Sequence, residues 1–160
     1  VALTTDQRVY APGESVELNV VLTTATGAEV NRKITYSVPL GFEPGPLYFT
    51  VADGSTTNLT EYRHLLNAPP RSPAQLVSFL NSLRDNSRVY VRVWRAAGNY
   101  DVDGQSFPAP PPSVEQILAR SQPGVGATVL PRNAKIAELV IDAGGLVVSG
   151  SKTVQVDIKE

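Results

Sequence analysis

The chain has no cysteine and no methionine, and it holds a single tryptophan and a single histidine among 160 residues. Without cysteine there is no disulfide, no thiolate nucleophile and no Cys-ligated zinc. His64 is the only imidazole, so a zinc ion would be left with carboxylates for most of its shell, which argues against a metal centre of that kind. His64 is also the only residue able to serve as base in a Ser-His-Asp arrangement. No serine sits in a Gly-x-Ser-x-Gly turn, and the reading of His64 is a structural helix residue.

A surplus of positive charge is lacking too. Fourteen Lys and Arg face fifteen Asp and Glu, for a net charge of −1, whereas phosphate backbones call for a basic face. The expected partners therefore include no nucleic acid, and there is no polybasic patch for a lipid surface. No apolar run approaches the roughly 20 residues that span a bilayer. A phosphate-binding loop is absent, since Gly144-Gly145 is isolated and Gly124-Val125-Gly126 lacks the third glycine and the helix. The acids are scattered along the chain, many at turns and strand ends (Glu14, Glu29, Asp53, Asp157), unlike the facing carboxylates of a glycosidase. No cofactor is expected, and the chain reads as a non-enzyme.

What is present is a core of ordinary size. Apolar residues make up 42% and charged residues 18%, so a globular chain can fold without staples. Thirteen prolines and twelve glycines divide it into short elements. Val16, Leu18, Val20 and Leu22 alternate with Ser15, Glu17, Asn19 and Val21, as a half-buried strand does. Ala25-Thr26-Gly27 turns the chain, and Ile34, Tyr36 and Val38 alternate again. Leu47, Phe49 and Val51 follow, up to a turn signal at Asp53-Gly54.

The period then becomes helical. Asn58 and Glu61 make a capping-box-like start before Leu59, Tyr62, Leu65 and Leu66, and Ala68-Pro69-Pro70 stops that helix. Ser72-Pro73-Ala74-Gln75 opens a second one, with Leu76, Phe79, Leu80 and Leu83 along one face. Strand periodicity returns at 88–96, where Val89, Val91 and Val93 lie on one face and Tyr90, Arg92 and Trp94 on the other. The proline-rich stretch 107–112 is excluded from helix and from central strands. Ser113 begins a short helix over about 113–120, with Val114, Ile117 and Leu118 inward. Strands are expected at 127–130, 135–141 and 153–158, the last paired with 146–149 across Gly150-Ser151. These elements predict a mainly β chain: an immunoglobulin-like β-sandwich over residues 1–160, one domain with a helical insertion at about 58–85 and a further short helix at about 113–120.

Two constellations are candidate binding sites. Asn99, Asp101 and Asp103, followed by Gly104, place oxygens at alternate positions as the first half of a calcium loop does. The twelfth position is Pro110 where a bidentate Glu belongs, and Asp or Asn beside Gly also suits a tight β-turn. Tyr90, Arg92 and Trp94 form either an exposed aromatic-cationic platform or the floor beneath the helix 72–84, with Trp94 covering Leu80 or Leu83. The triplet Asn58-Leu59-Thr60 matches a glycosylation sequon, which is chance if the source is bacterial.

Tyr10-Ala11-Pro12-Gly13-Glu14-Ser15-Val16-Glu17-Leu18 looks like the opening of many exported β-sandwich modules. The order of Pro12-Gly13-Glu14, Gly45-Pro46-Leu47, Val51-Ala52-Asp53-Gly54, Arg71-Ser72-Pro73, Leu80-Asn81-Ser82-Leu83-Arg84, Val89-Tyr90-Val91-Arg92, Pro111-Pro112-Ser113-Val114 and Val148-Ser149-Gly150-Ser151 covers nearly the whole chain. In that order it resembles the C-terminal region of exported acidobacterial proteins with an upstream serine peptidase domain of the sporulation stage IV B type. The resemblance implies a non-catalytic accessory domain excised from a larger protein. It implies export to the periplasm, cell surface or extracellular space. The implied partner is a neighbouring domain of the same polypeptide or another protein. The family's catalytic serine and histidine lie in the peptidase domain and correspond to no residue here. A carbohydrate-binding β-sandwich is the alternative, and it would require an exposed aromatic row.

Overall fold

The computed structural model of the chain describes residues 1–24, 26–67, 72–96, 99–102, 105–108, 127–130 and 134–159; of residues 64–67, 75, 99–102, 105–108, 127–130 and 134 it describes the backbone alone. In chain order the elements are β1 (Ala2–Thr5), β2 (Val9–Tyr10), β3 (Ser15–Thr23), β4 (Glu29–Ser37), β5 (Gly45–Ala52), α1 (Gly54–Asn67), α2 (Pro73–Asn81), β6 (Arg88–Arg95), β7 (Asn99–Val102), β8 (Gln105–Pro108), β9 (Ala127–Leu130), β10 (Ala134–Asp142) and β11 (Ser151–Ile158). Strands form one sheet in the order β1-β3-β4, a second in the order β10-β6-β5-β11-β2 and a third in the order β8-β7-β9. Neighbours run antiparallel except β2 with β11.

The period-2 patterns explain how the first two sheets meet. Val16, Leu18, Val20 and Leu22 of β3 are all buried, and Tyr36 joins them from β4. Leu47, Phe49 and Val51 of β5, Val89, Val91 and Val93 of β6, and Val156 and Ile158 of β11 are buried in the same apolar cluster. Tyr36 meets Phe49 edge-on across it, with ring centroids 5.6 Å apart and planes at 70°. Burying both alternating faces against each other removes apolar area from water at about 25 cal/mol per Å². Among the described residues the chain is therefore mainly β with two helices, and the pairing of these sheets over one core is consistent with a β-sandwich.

Three local expectations change. Asp53-Gly54 is no hairpin turn. Although β5 and β6 are antiparallel neighbours, from Tyr48 opposite Trp94 to Ala52 opposite Tyr90, their connection is the whole helical hairpin α1–α2. The first helix begins at Gly54 and not at Asn58, because the Asp53 carboxylate caps it: Oδ1 accepts from the Thr56 backbone N–H at 2.5 Å. Residues 146–149 form no strand, and β11 pairs instead with β5 and β2. Val148 is buried and gives its N–H to the Asn86 carbonyl at 3.0 Å, which ties that segment to the loop after α2. The helix expected at 113–120 lies outside the described residues.

The proline rule holds at the third sheet. Phe107 and Pro108 fall in β8, an edge strand among the described residues, the place where a sheet tolerates proline, and 109–112 lie outside the described residues. Among the described residues, no helix is long and apolar enough to cross a membrane.

Candidate interaction surface

The core-averted face of the second sheet carries Tyr90, Arg92 and Trp94 on β6, beside Tyr48, Thr50 and Ala52 on β5 and Glu138 and Val140 on β10. The helical hairpin lies on one part of this face, and its attachment is polar. Asp53 is buried; beyond its cap to Thr56, its Oδ2 accepts from the Gly150 N–H at 2.6 Å. Asn86 Oδ1 accepts from both the Ser55 N–H at 2.8 Å and the Ser55 hydroxyl at 3.1 Å. One carboxylate and one amide thus satisfy two of the first-turn donors, Thr56 and Ser55, that a helix leaves unpaired.

Asn58, expected to begin the helix, clamps it instead. Its Nδ2 donates to the Arg84 carbonyl at 2.7 Å and its Oδ1 accepts from the Arg84 N–H at 2.9 Å, as a paired strand residue would. With its amide spent this way inside α1, the sequon at 58–60 is no acceptor in the folded chain.

Five charges meet one turn further along. Glu61 pairs with Arg92, with Lys135 at 3.4 Å and with Arg84 at 3.7 Å. Arg84 holds Glu138 with two parallel bonds of 2.7 Å, the fork geometry that makes such a pair directional. The Arg84 guanidinium also lies 5.7 Å from the centre of the buried Tyr90 ring. Burial pushes the Glu61 carboxyl up, but Lys135, Arg92 and Arg84 together pull harder and leave it below its ordinary 4.5. A carboxyl lowered by folding stabilises the folded state above its unfolded value, and this is lost as pH falls through the folded one. The stability difference between wild type and Glu61→Gln is therefore expected to be full at pH 6–7 and to shrink steadily below about pH 4.5. Denaturant titrations at a series of pH values check this; a difference that persists undiminished at pH 2 contradicts it.

Of the platform residues, Tyr90 lies under Arg84 and Arg92 under Glu61. Trp94 leaves Leu80 and Leu83 about half exposed. It stacks on Tyr48 with centroids 4.4 Å apart and planes 13° from parallel. Its Nε1 donates to Thr50 Oγ1 at 2.9 Å, which shares a 2.8 Å bond with Thr153 Oγ1. α1 packs on β6 here, and Arg84, just after α2, lies over Tyr90.

Among the described residues, the apolar stripe that runs along α2 to Leu83 is left about half exposed. Exposure is 44% at Leu76, 54% at Val77, 53% at Leu80 and 48% at Leu83, and on α1 it is 49% at Leu59 and 46% at Tyr62. With 3.6 residues per turn, turning Glu61 toward the sheet places Leu59 on the opposite side. Tyr62 and Phe79 join the two helices, their centroids 6.4 Å apart. The sequence of α2, PAQLVSFLN, contains no charged residue. An outward helix face with large apolar side chains and no charge has the composition of the centre of a protein interface.

The other candidates are placed by backbone alone or fall outside the described residues. Asn99 and Asp101 are residues of the extended strand β7, opposite Pro108 and Ser106 of β8; Asp103 lies outside the described residues. His64 belongs to α1, and its side chain is not described. A depression of about 240 Å³ lies far from the hairpin, lined by Thr4, Asp6, Glu17, Asn19 and Lys33 among others. No group of three or more acids or histidines suited to a metal occurs among the described residues. Comparison with protein-family models, with curated proteins and with solved structures finds no match.

The sequence pointed to the β6 face but missed Glu61, Arg84 and Glu138 as its cover. Glu61 had a local explanation as a cap residue. The pairing of Glu138 with Arg92 depends on which strand lies beside β6, which no local pattern encodes.

Proposed function

We propose that this chain is a non-catalytic interaction domain of an exported bacterial protein, an immunoglobulin-like β-sandwich whose helical insertion makes contact with other protein. It serves as an accessory domain that packs on or regulates a neighbouring peptidase-like domain, or binds a partner in the cell envelope. The observation that supports the reading is the outward face of the hairpin. Half-exposed Leu59, Tyr62, Leu76, Val77 and Leu80, with Leu83 just after α2, belong to a hairpin that a capped start, the Asn58 clamp and the Glu61 charge cluster hold to the sheet. A rigidly mounted apolar surface loses little conformational entropy on binding, which favours association.

The test is calorimetric titration of the chain against the purified peptidase-like domain, with wild type and Leu80→Asp. The expected result is binding with a negative heat-capacity change, weakened at least tenfold in the variant. Equal binding heats for the two proteins overturn the reading of the hairpin face, and no heat for either removes the neighbouring domain as its partner.

A carbohydrate-binding module receives less support. One ring face of Trp94 is taken by Tyr48 and its N–H by Thr50, whereas a sugar platform offers both free to the ligand. Acrylamide is expected to quench Trp94 fluorescence poorly, and quenching close to that of free tryptophan would bring the carbohydrate reading forward.

A further inference from the structure

We infer that the partner seated on the hairpin face is a second copy of this chain, the two hairpins packing about a two-fold axis into a small four-helix cluster. The inference rests on the reading of that face as an interaction surface and names its occupant.

Three features favour self-pairing. The first is spacing. Leu76 and Leu80 lie one turn apart on α2 and Leu83 follows just beyond its end at Asn81, so Leu80 sits near the middle of the apolar patch. Placed antiparallel across a two-fold axis, Leu80 meets its own mate while Leu76 of each copy meets Leu83 of the other. Self-complementarity of this kind is what an isologous interface demands. The second is charge. Any charged residue near a two-fold axis is brought against itself, and α2 carries none. Arg63 of α1 is exposed but belongs to the other helix, away from the axis through Leu80.

The third is area. Six large apolar side chains, each about half exposed, present on the order of 500 Å² per copy, judged against 150–250 Å² for a whole aromatic side chain. Two copies then bury on the order of 1,000 Å², the lower bound for a specific interface. This size fits a weak, reversible dimer with a dissociation constant on the order of 10 µM. Two antiparallel helix pairs meeting through one apolar face each is also the packing of a four-helix bundle.

The chain lacks cysteine, which makes the geometry directly testable. Sedimentation equilibrium of the whole chain, from 1 to 300 µM, is expected to show a monomer–dimer transition in wild type. In Leu80→Asp, whose fold is verified by circular dichroism, the transition moves at least tenfold higher in concentration or disappears. In parallel, Leu80→Cys is expected to form a disulfide-linked dimer under mild oxidation many times faster than Val147→Cys, an exposed loop control.

A wild type that stays monomeric throughout overturns the inference. So does a dimer that survives Leu80→Asp, or crosslinking of Leu80→Cys no faster than the control. Sensitivity of neighbouring-domain binding to Leu80→Asp in a strictly monomeric protein would keep the interaction reading and hand the face to that domain. Cover from the chain's own residues 109–126 would appear as a monomer whose Leu80→Cys thiol reacts slowly with maleimide. If neither self-association nor domain binding responds to Leu80→Asp, both readings fall.

Discussion

Phe49→Ala is expected to lower the free energy of unfolding by about 3–5 kcal/mol, the range for deleting a buried aromatic side chain from a well-packed core. Phe49 is completely buried. It stands on β5, the central strand of the five-stranded sheet, and meets Tyr36 of the opposing sheet edge-on. Removing its ring opens a cavity exactly between the two sheets' contributions to one cluster, where neither backbone ladder is free to collapse. Urea titration measures the loss. A change below about 1 kcal/mol would mean that the two sheets do not share this core.

Gly54→Ala comes next, with an expected loss of about 3 kcal/mol, at the upper end for overpacking. The cause is close approach and not backbone conformation. A Cβ on Gly54 would lie 2.2 Å from the Asp85 carbonyl oxygen and 2.5 Å from the Asp85 carbonyl carbon. Both obstacles are backbone, held by the Asn58–Arg84 clamp and by the Ser55–Asn86 bonds, so they cannot swing aside as a side chain would. The variant is expected to loosen the hairpin before the sheets. Amide exchange in α1 should accelerate more than exchange in β3 or β5, because local openings cost less than global unfolding. Uniform acceleration over the whole chain would show that the hairpin is not a separately attached unit.

The β framework was legible because its signal is local. Alternation at 16–22, 47–51 and 89–93 needs nothing but the pleat to be read, and each of those apolar sets is buried. The helix start was misplaced for a specific reason. Asp53-Gly54 is chemically ambiguous, since Asp caps a helix as readily as it begins a turn. What decides between them is Gly150, nearly a hundred residues away, whose N–H binds the Asp53 carboxylate. The pairing expected between 146–149 and 153–158 failed for the same kind of reason, because Val148 is claimed by Asn86.

The surface was half legible. Period-2 spacing put Tyr90, Arg92 and Trp94 on one face, and helical spacing put Leu76, Leu80 and Leu83 on another. Supposing that the two must meet was reasonable, because an apolar stripe normally finds a floor. The structure separates them. Charged Glu61 and Arg84 cover the sheet face, and the apolar stripe turns outward. A sequence tells which residues share a face, but not which of two faces a neighbouring element chooses.

The central claim is that this stripe is surface and not core, and the stability of Leu80→Gln tests it most directly. Gln matches Leu closely in helix propensity, so the substitution changes little besides apolar contact. Measured by urea titration at 1 µM, where a weak dimer is dissociated, the expected loss is below about 1 kcal/mol, as for a surface position. A loss above about 2 kcal/mol, on the scale of a core leucine, would show that Leu80 is buried in the folded chain and would contradict the account.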